Sequence, residues 1–536
     1  MSESANIARH LPLMAARQPE QPAIKIPRGR TPDGLIDYLV LPFRELDREV
    51  DAWGDHLRGK GVGRGDRVLV MVRQGLPLIA AAFALFKLGA VPVIIDPGMG
   101  RKSFLACVAR SKPRVLLGIP LAQAMSHVFR SAFATVEIRI WVSGSAIARL
   151  SSGSQPSAPS SQPVTSNAAD LAAILFTSGS TGAPKGVCYE HGMFEAQVRL
   201  VRDTYGLTPG EVDLPMLPIF ALFNPALGMT TIVPEIDPSR PAEVDPAIIV
   251  QAIQQEAVTN SFGSPTLWRK IFDHCLAHQI TLPTLRRVLC AGAAVPASLW
   301  ADAPRVLVNG TLHSPYGATE VLPVATVSGA EVPAGATAGS LLGRPLPENR
   351  VKIIALHDGP IASLADAREL PSGETGEIIV TGPTVTREYD QLPAATALAK
   401  IPGGAAAIWH RMGDAGYLDA EGCLWFCGRV AERVVTRTSL LHTEPIEQVF
   451  RGYPGVERCA LVGLGAPGNQ EPVLVVQAQK SVTDEPKLAE ELRAHAMRHP
   501  PTVGISRILF HPSLPVDVRH NAKIHRLALA RWATGR

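Results

Sequence analysis

Cysteine is scarce: a chain of 536 residues holds seven, and they lie far apart. The closest pair, Cys423 and Cys427, does not have CxxC spacing. This excludes a disulfide framework and a paired-cysteine zinc site, and predicts buried free thiols in a reducing compartment. Long hydrophobic runs are also missing. The opening MSESANIARHLPLMAARQPEQPA has no apolar core of signal-peptide type. The longest apolar stretch, Leu76–Phe86, contains Pro77, is flanked by Arg73 and Lys87, and is too short to cross a bilayer. A cytoplasmic protein without a membrane span is the expectation. No block of Lys and Arg occurs, and the net charge of +4 is spread along the chain, which argues against a nucleic-acid partner. No internal repeat recurs at a fixed period.

The chain does carry a generous supply of core-forming residues. Hydrophobic residues make up 46% and charged residues 19%, which fits a globular protein rather than a disordered one. The length calls for two or more domains, one of them large. In FRELDREVDAWGDHL, Phe43, Leu46, Val50, Trp53 and Leu57 recur at helical spacing. DRVLVMV then reads as a buried strand, LPLIAAAFALFKLGA as a helix and VPVIIDP as a strand. Such alternation predicts an α/β fold with parallel-rich sheets covered by helices. The Pro/Ser-rich Ser151–Asn167 reads as a surface connector inside a domain. The boundary is expected after the strand CLWFCG, giving a large domain over residues 1–428 and a small α+β domain over residues 429–536. Within the latter, ERCALVGLG and PVLVVQAQ read as strands and EPKLAEELRAHAMRH as a helix.

One stretch points to chemistry. TSGSTGAPKG, Thr177–Gly186, follows the apolar run LAAILF. Glycines let backbone N–H groups approach an anion, hydroxyls add donors, and the lysine adds charge, so the composition points to phosphate. It is not a Walker A loop, because Pro184 precedes Lys185 and Gly186 follows it. A plain Gly/Ser turn would carry the same composition, so the rest of the chain has to decide.

TSGSTGAPKG resembles the signature of the adenylate-forming superfamily, which includes acyl-CoA synthetases, peptide-synthetase adenylation domains and luciferases. YGATE (Tyr316–Glu320), WHRMGDAGYLDAEGCLWFCGR (Trp409–Arg429) and NAKIHR (Asn521–Arg526) are similar to its later markers, in the same order. The resemblance implies that ATP activates a carboxylate as an acyl-AMP, with a small C-terminal domain that moves between steps. It implies that Thr177, Ser178, Gly179, Ser180, Thr181 and Gly182 cradle the β- and γ-phosphates, with Lys185 adding charge. It implies that Glu320 helps hold Mg²⁺ and that Thr319 donates to the α-phosphate. Tyr316 and Gly317, with Gly292, Ala293 and Ala294, would border adenine. Asp414 would take the ribose hydroxyls, Arg429 ribose or phosphate, and Lys523 would bridge the reacting carboxylate and α-phosphate.

The second step is where the chain departs from most of the superfamily. The hinge position carries Ala431, followed by Glu432; Thr438 and Ser439 stand where a glycine commonly admits pantetheine; Asn521-Ala522 precede Lys523; and Ala221 replaces the pocket-gating histidine. These departures weaken a thioester-forming reading. LPIFALFNPALGMTTIVPEIDPSRPA and DVRHNAKIHR look most like the β-lactone-forming branch of bacterial long-chain olefin biosynthesis. That branch implies a 2-alkyl-3-hydroxyalkanoic acid as substrate, and thiolase, reductase and decarboxylase partners. Phe220, Ala221, Leu222, Phe223, Met229 and Ile232 are candidate pocket residues, although any single one reads more readily as core. His191 is a candidate base for the β-hydroxyl, although a histidine at a helix start is more often structural. A long-chain acyl-CoA ligase or acyl-AMP ligase stays open as an alternative. A non-catalytic nucleotide-binding scaffold ranks last, because Lys185, Glu320, Asp414, Arg429 and Lys523 are all present.

Overall fold

The computed structural model describes residues 4–142, 161–177, 183–237, 243–333, 338–404, 407–516 and 523–536. The chain divides into two compact units. The first comprises Met1–Ala291, Val295–Pro323 and Gly382–Thr396; the second comprises Gly292–Ala294, Val324–Thr381 and Ala397–Arg536.

The first unit is built as the alternating pattern requires. The expected helix runs over Phe43–Gly59 and buries Phe43, Leu46, Val50, Trp53 and Leu57 on one face. The strand Arg67–Met71, the helix Leu76–Leu88 and the strand Val91–Ile94 follow. Lys87, at the edge of the apolar stretch, is itself buried and bonded at 2.8 Å to both Asp47 and Asp51. A six-stranded sheet has the spatial order Ile138–Trp141, Val115–Gly118, Arg67–Met71, Val91–Ile94, Leu171–Thr177, Lys185–Glu190. All its pairings are parallel except the last. A second set of strands, Thr311–Ala318, Arg287–Cys290, Asn260–Gly263, Val212–Pro215, Thr230–Ile232 and Pro22–Arg30, is parallel throughout and closes with antiparallel Ile36–Pro42. Short buried strands of this kind need both faces covered, and Trp268, Ile271 and Phe272 of the helix Pro265–Ala277 supply part of that cover.

The second unit begins as an antiparallel meander in which Arg350–Ile354, Gly376–Thr381, Ile408–Leu418, Leu424–Arg429 and Ser340–Pro345 lie side by side. Its last hundred or so residues carry a three-stranded sheet of Val456–Leu464, Glu471–Ala478 and Arg507–Phe510. Side chains of a strand alternate between faces. Cys459, Leu461, Leu474 and Val476 accordingly pack with Leu488 and Leu492 of the helix Glu485–Ala496. Ala460, Val462, Val473 and Val475 pack with Leu529 and Ala533 of the helix Arg526–Thr534. All seven cysteines are free, six of them buried. Among the described residues, no helix is long and apolar enough to cross a membrane.

Candidate active site

In the first unit, Thr177 and Lys185 are paired residues at the ends of two antiparallel strands, so the phosphate-type loop is the connection of a β-hairpin. Ser178, Gly179, Ser180, Thr181 and Gly182 lie outside the described residues, as does the side chain of Thr177. What surrounds the hairpin is described. Arg110 donates to the carbonyl of Pro184 at 2.8 Å. The amide of Asp390 donates to the carbonyl of Gly186 at 2.7 Å, and the amide of Cys188 to that of Glu388 at 3.2 Å. Residues 386–390 therefore run as an added edge beside the second hairpin strand, with an antiparallel bridge between Val187 and Tyr389. Arg67 fixes this segment by gripping both carboxylate oxygens of Asp390, at 2.8 and 3.2 Å.

Thr319 and Glu320 form the turn between the strands Thr311–Ala318 and Val321–Ser328. Gly317 precedes it because a side chain there would meet the Val321 carbonyl at 2.8 Å. The turn is clamped by other elements of the same unit. The Tyr189 hydroxyl donates to the Thr319 carbonyl at 2.5 Å. Both the amide and the hydroxyl of Thr386 donate to the Glu320 carbonyl, at 2.9 and 3.0 Å. Gln197 donates to the Leu322 carbonyl at 3.1 Å. Burial pushes the Tyr189 phenol up and keeps it a donor.

Tyr389 connects the two motifs. Its hydroxyl donates to Glu320 Oε1 at 2.7 Å, and the Lys185 ammonium sits 4.6 Å from its ring centroid. A carboxylate has about four lone-pair sites, so the bond from Tyr389 leaves Glu320 with capacity for a hard cation. Among the described residues there is no group of three or more His, Cys, Asp or Glu side chains placed to hold a metal. A single carboxylate working with phosphate oxygens is the arrangement that suits Mg²⁺. Tyr316, three residues before Thr319, is partly buried on the strand Thr311–Ala318.

The candidate pocket segment separates into exposed and packed residues. Phe220 and Phe223 keep partial exposure, as does Leu222, and Phe220 stacks on Phe262 with centroids 3.8 Å apart. Ala221 is buried, Met229 is 1% exposed, and Ile232 belongs to the core cluster. Beneath this segment lies a polar cluster that the sequence reading missed. Asn224 donates to Asp213 at 2.8 Å and to Thr231 at 2.9 Å, and Asn260 donates to Asp213 at 2.6 Å. Burial outweighs the two amide bonds and raises the Asp213 carboxyl to about 6. Asn224 thus pins the pocket segment to the strand Val212–Pro215. His191 is 2% exposed, packs against Phe86 and accepts from the Ile7 amide at 3.5 Å. Burial lowers it to about 4, so it is a neutral packing residue, not one open to a substrate.

In the second unit, Asp414 and Arg429 are cross-strand partners joined by an ion pair of 2.5 Å. Asp414 is buried and Arg429 remains about a third exposed. Gly292, Ala293 and Ala294 form a bend after Ala291, with Ala294 exposed. Thr438 and Ser439 lie exposed at the tip of a small hairpin between Val434–Val435 and Leu440–Leu441. Lys523 is exposed, next to a bridge between Val516 and Ile524; Asn521 and Ala522 lie outside the described residues. Three residues on, Arg526 turns inward. It donates to both oxygens of the fully buried Glu447, at 2.8 and 2.7 Å, and to Glu432 at 3.1 Å. Nothing in the motif NAKIHR by itself assigns this arginine a role. It closes that motif and opens the helix Arg526–Thr534.

Comparison with known proteins adds to this geometry. Residues 14–390 match the profile of a family described as AMP-binding enzyme. The chain is 45% identical over its full length to a protein of Stenotrophomonas maltophilia named olefin beta-lactone synthetase, covering 99% of that relative. It is 44% identical to a protein of the same name from Xanthomonas campestris, over 99% of this chain and 98% of that one. Among solved structures, the amide bond synthetase McbA from Marinactinospora thermotolerans superposes with a TM-score of 0.81 at 22% identity, covering 99% of this chain and 100% of that one.

Proposed function

The chain belongs to the AMP-binding enzymes, and from that membership we propose that it converts a long-chain 2-alkyl-3-hydroxyalkanoic acid to a β-lactone. The observation that carries this reading is identity of 45%, end to end, with a protein named for that activity. The enzymes of this family use ATP. In the first step the substrate carboxylate attacks the α-phosphorus and pyrophosphate leaves, giving an acyl-AMP. In the second, the β-hydroxyl oxygen attacks the acyl carbon, the bond to AMP breaks, the hydroxyl proton passes to a base, and a four-membered ring closes. Tethering the nucleophile replaces a bimolecular encounter, an effect worth effective molarities on the order of 10⁵–10⁸ M in well-oriented cases.

Two anions must meet in the first step, so catalysis rests on positioning and charge. The backbone and hydroxyls of Thr177, Ser178, Ser180 and Thr181, with Gly179 and Gly182, receive the terminal phosphates, and Lys185 adds positive charge beside them. Mg²⁺, when bound, offsets the triphosphate charge, and Glu320 is the residue to hold it. Thr319 donates to the α-phosphate. Tyr316 and Gly317 with Gly292–Ala294 border adenine. Asp414, already fixed by Arg429, accepts from the ribose diol. Lys523 bridges carboxylate and α-phosphate, carried by residues 429–536, which move as a small domain between the two steps. The separate core clusters from Val434 onward support that division. Phe220, Ala221, Leu222 and Phe223 face the alkyl chains, and Asn224 with Asp213 holds them in place. Side chains at Thr438 and Ser439 disfavour pantetheine. Other enzymes of olefin synthesis are the partners this chemistry implies.

The test is product analysis by mass spectrometry. Pure protein is incubated with ATP, Mg²⁺ and a long-chain 2-alkyl-3-hydroxy acid, with and without CoA, and worked up cold. A product lighter than the acid by one water, formed with AMP in the absence of CoA, is expected. An acyl-CoA formed only when CoA is added would replace this reading with that of a ligase.

A further inference from the structure

Tyr389 lies outside the four motifs named above, yet residues 386–390 touch both of the motifs assigned to phosphate. Thr386 donates twice to the Glu320 carbonyl. Tyr389 donates to the Glu320 carboxylate, and Asp390 donates to Gly186, next to Lys185. The segment is itself held by the Arg67–Asp390 ion pair and by the Thr396 hydroxyl, which accepts from the Tyr389 amide at 3.0 Å. The Tyr389 side chain is buried, 4% exposed. Its ring face receives the Lys185 ammonium and its hydroxyl donates to Glu320.

The charges on either side are opposite. Left to themselves, a lysine and a glutamate brought together pair directly and neutralise one another. With the tyrosine as their shared partner, the ammonium is seated on the negative face of a π system and the carboxylate is oriented by a neutral donor. Each keeps its charge for a ligand. Resting on the nucleotide-binding roles given above, we propose that Tyr389 is a positioning residue of the nucleotide site: its hydroxyl orients the Glu320 carboxylate that would hold the divalent cation, and its ring seats the Lys185 ammonium.

The two functions sit on different parts of one side chain and can be separated. Tyr389→Phe removes the hydroxyl and keeps the ring; Tyr389→Leu removes both. The measurement is binding of a non-hydrolysable ATP analogue to the full chain by calorimetry, in excess Mg²⁺ and again in chelator. Mn²⁺ bound in the ternary complex is followed by electron paramagnetic resonance. Tyr389→Phe is expected to bind the analogue unchanged in chelator and to lose roughly 10-fold in affinity with Mg²⁺, as for a hydrogen bond to a charged group. Tyr389→Leu is expected to weaken in both conditions. Unchanged Mg²⁺-dependent affinity and an unchanged Mn²⁺ spectrum in Tyr389→Phe would overturn the proposal, provided Glu320→Gln shows the loss. If Glu320→Gln also binds like the parent in Mg²⁺, the proposal falls together with the assignment of Glu320 to the cation. A thermal unfolding curve for each variant identifies a fall caused by unfolding, and Tyr389→Phe, which keeps the buried ring, carries the decision.

Discussion

In the first unit Glu320 accepts from one tyrosine, and Lys185 rests on the same ring. In the second unit Glu447 is fully buried and accepts from Arg526, from Arg451 and from the Leu461 amide. Nearby, Glu444 takes both guanidinium nitrogens of Arg451, at 2.5 and 2.8 Å, and the Ser340 hydroxyl. One cluster leaves its charges only partly compensated, in side chains that retain exposure. The other buries two carboxylates, Glu444 and Glu447, and saturates them, with Arg451 reaching in from an exposed position. Charge that is to meet a ligand has to be left with unused capacity, whereas charge that only holds the chain together is stable when every lone pair and proton is matched.

This contrast can be broken most severely at Arg526. Replacement by Ala leaves Glu447 and Glu432 buried without their main partner, and should cost about 3–5 kcal/mol in denaturant unfolding. A loss below 1 kcal/mol would show that the network is not what holds the last helix. Lys523→Ala, three positions earlier, should do the reverse. Stability should stay within about 0.5 kcal/mol, as for an exposed residue. Pyrophosphate release should fall about 10²–10³-fold, the usual loss when one preorganised charge is removed. An unaffected rate would take the lysine out of the reaction.

Acid sharpens the comparison. Burial alone would raise the Glu444 carboxyl, but Arg451 and the Ser340 hydroxyl outweigh it and hold the group down to about 2. Its stabilising contribution is therefore present above the unfolded value of about 4.3 and is lost as pH falls from there toward 2. Asp213 in the first unit runs the opposite way, because its carboxyl is raised to about 6. Its contribution is complete below about 4 and is lost as pH rises through 6. Unfolding midpoints measured from pH 7 to 2 should show the acid loss, and Glu444→Gln should flatten it. Gly428 is a smaller test. Its φ is +139°, and an added Cβ would meet the Thr443 hydroxyl at 2.4 Å, so Gly428→Ala should cost about 1–3 kcal/mol by the same unfolding measurement. The smallest effect is at the thiols. Burial raises Cys188 to about 12, and in the native protein a thiol reagent should label Cys423, the only one that is not buried, well ahead of the other six.

The legible parts of this protein were local. Helical spacing located Phe43–Gly59 and its buried face, and short apolar runs located the strands Arg67–Met71, Val91–Ile94, Val456–Leu464 and Glu471–Ala478. Lys185 and Glu320 were legible as candidates because each sits inside a compact motif. Tyr389 was not, because it meets Glu320 across 69 residues of chain. Asp213, Asn224 and Asn260 converge across 11 and 47 residues in the same way. His191 is a weak candidate base in the sequence, and its burial makes it a packing residue.

The sequence by itself determined the periodicity of the strands and helices, and the order of the four motifs, because these depend on neighbours along the chain. The tertiary structure alone decided which charges stay partly open and which are saturated. Burial and partner geometry set a group's charge and capacity to bind, and both are properties of contacts between residues that the chain keeps far apart.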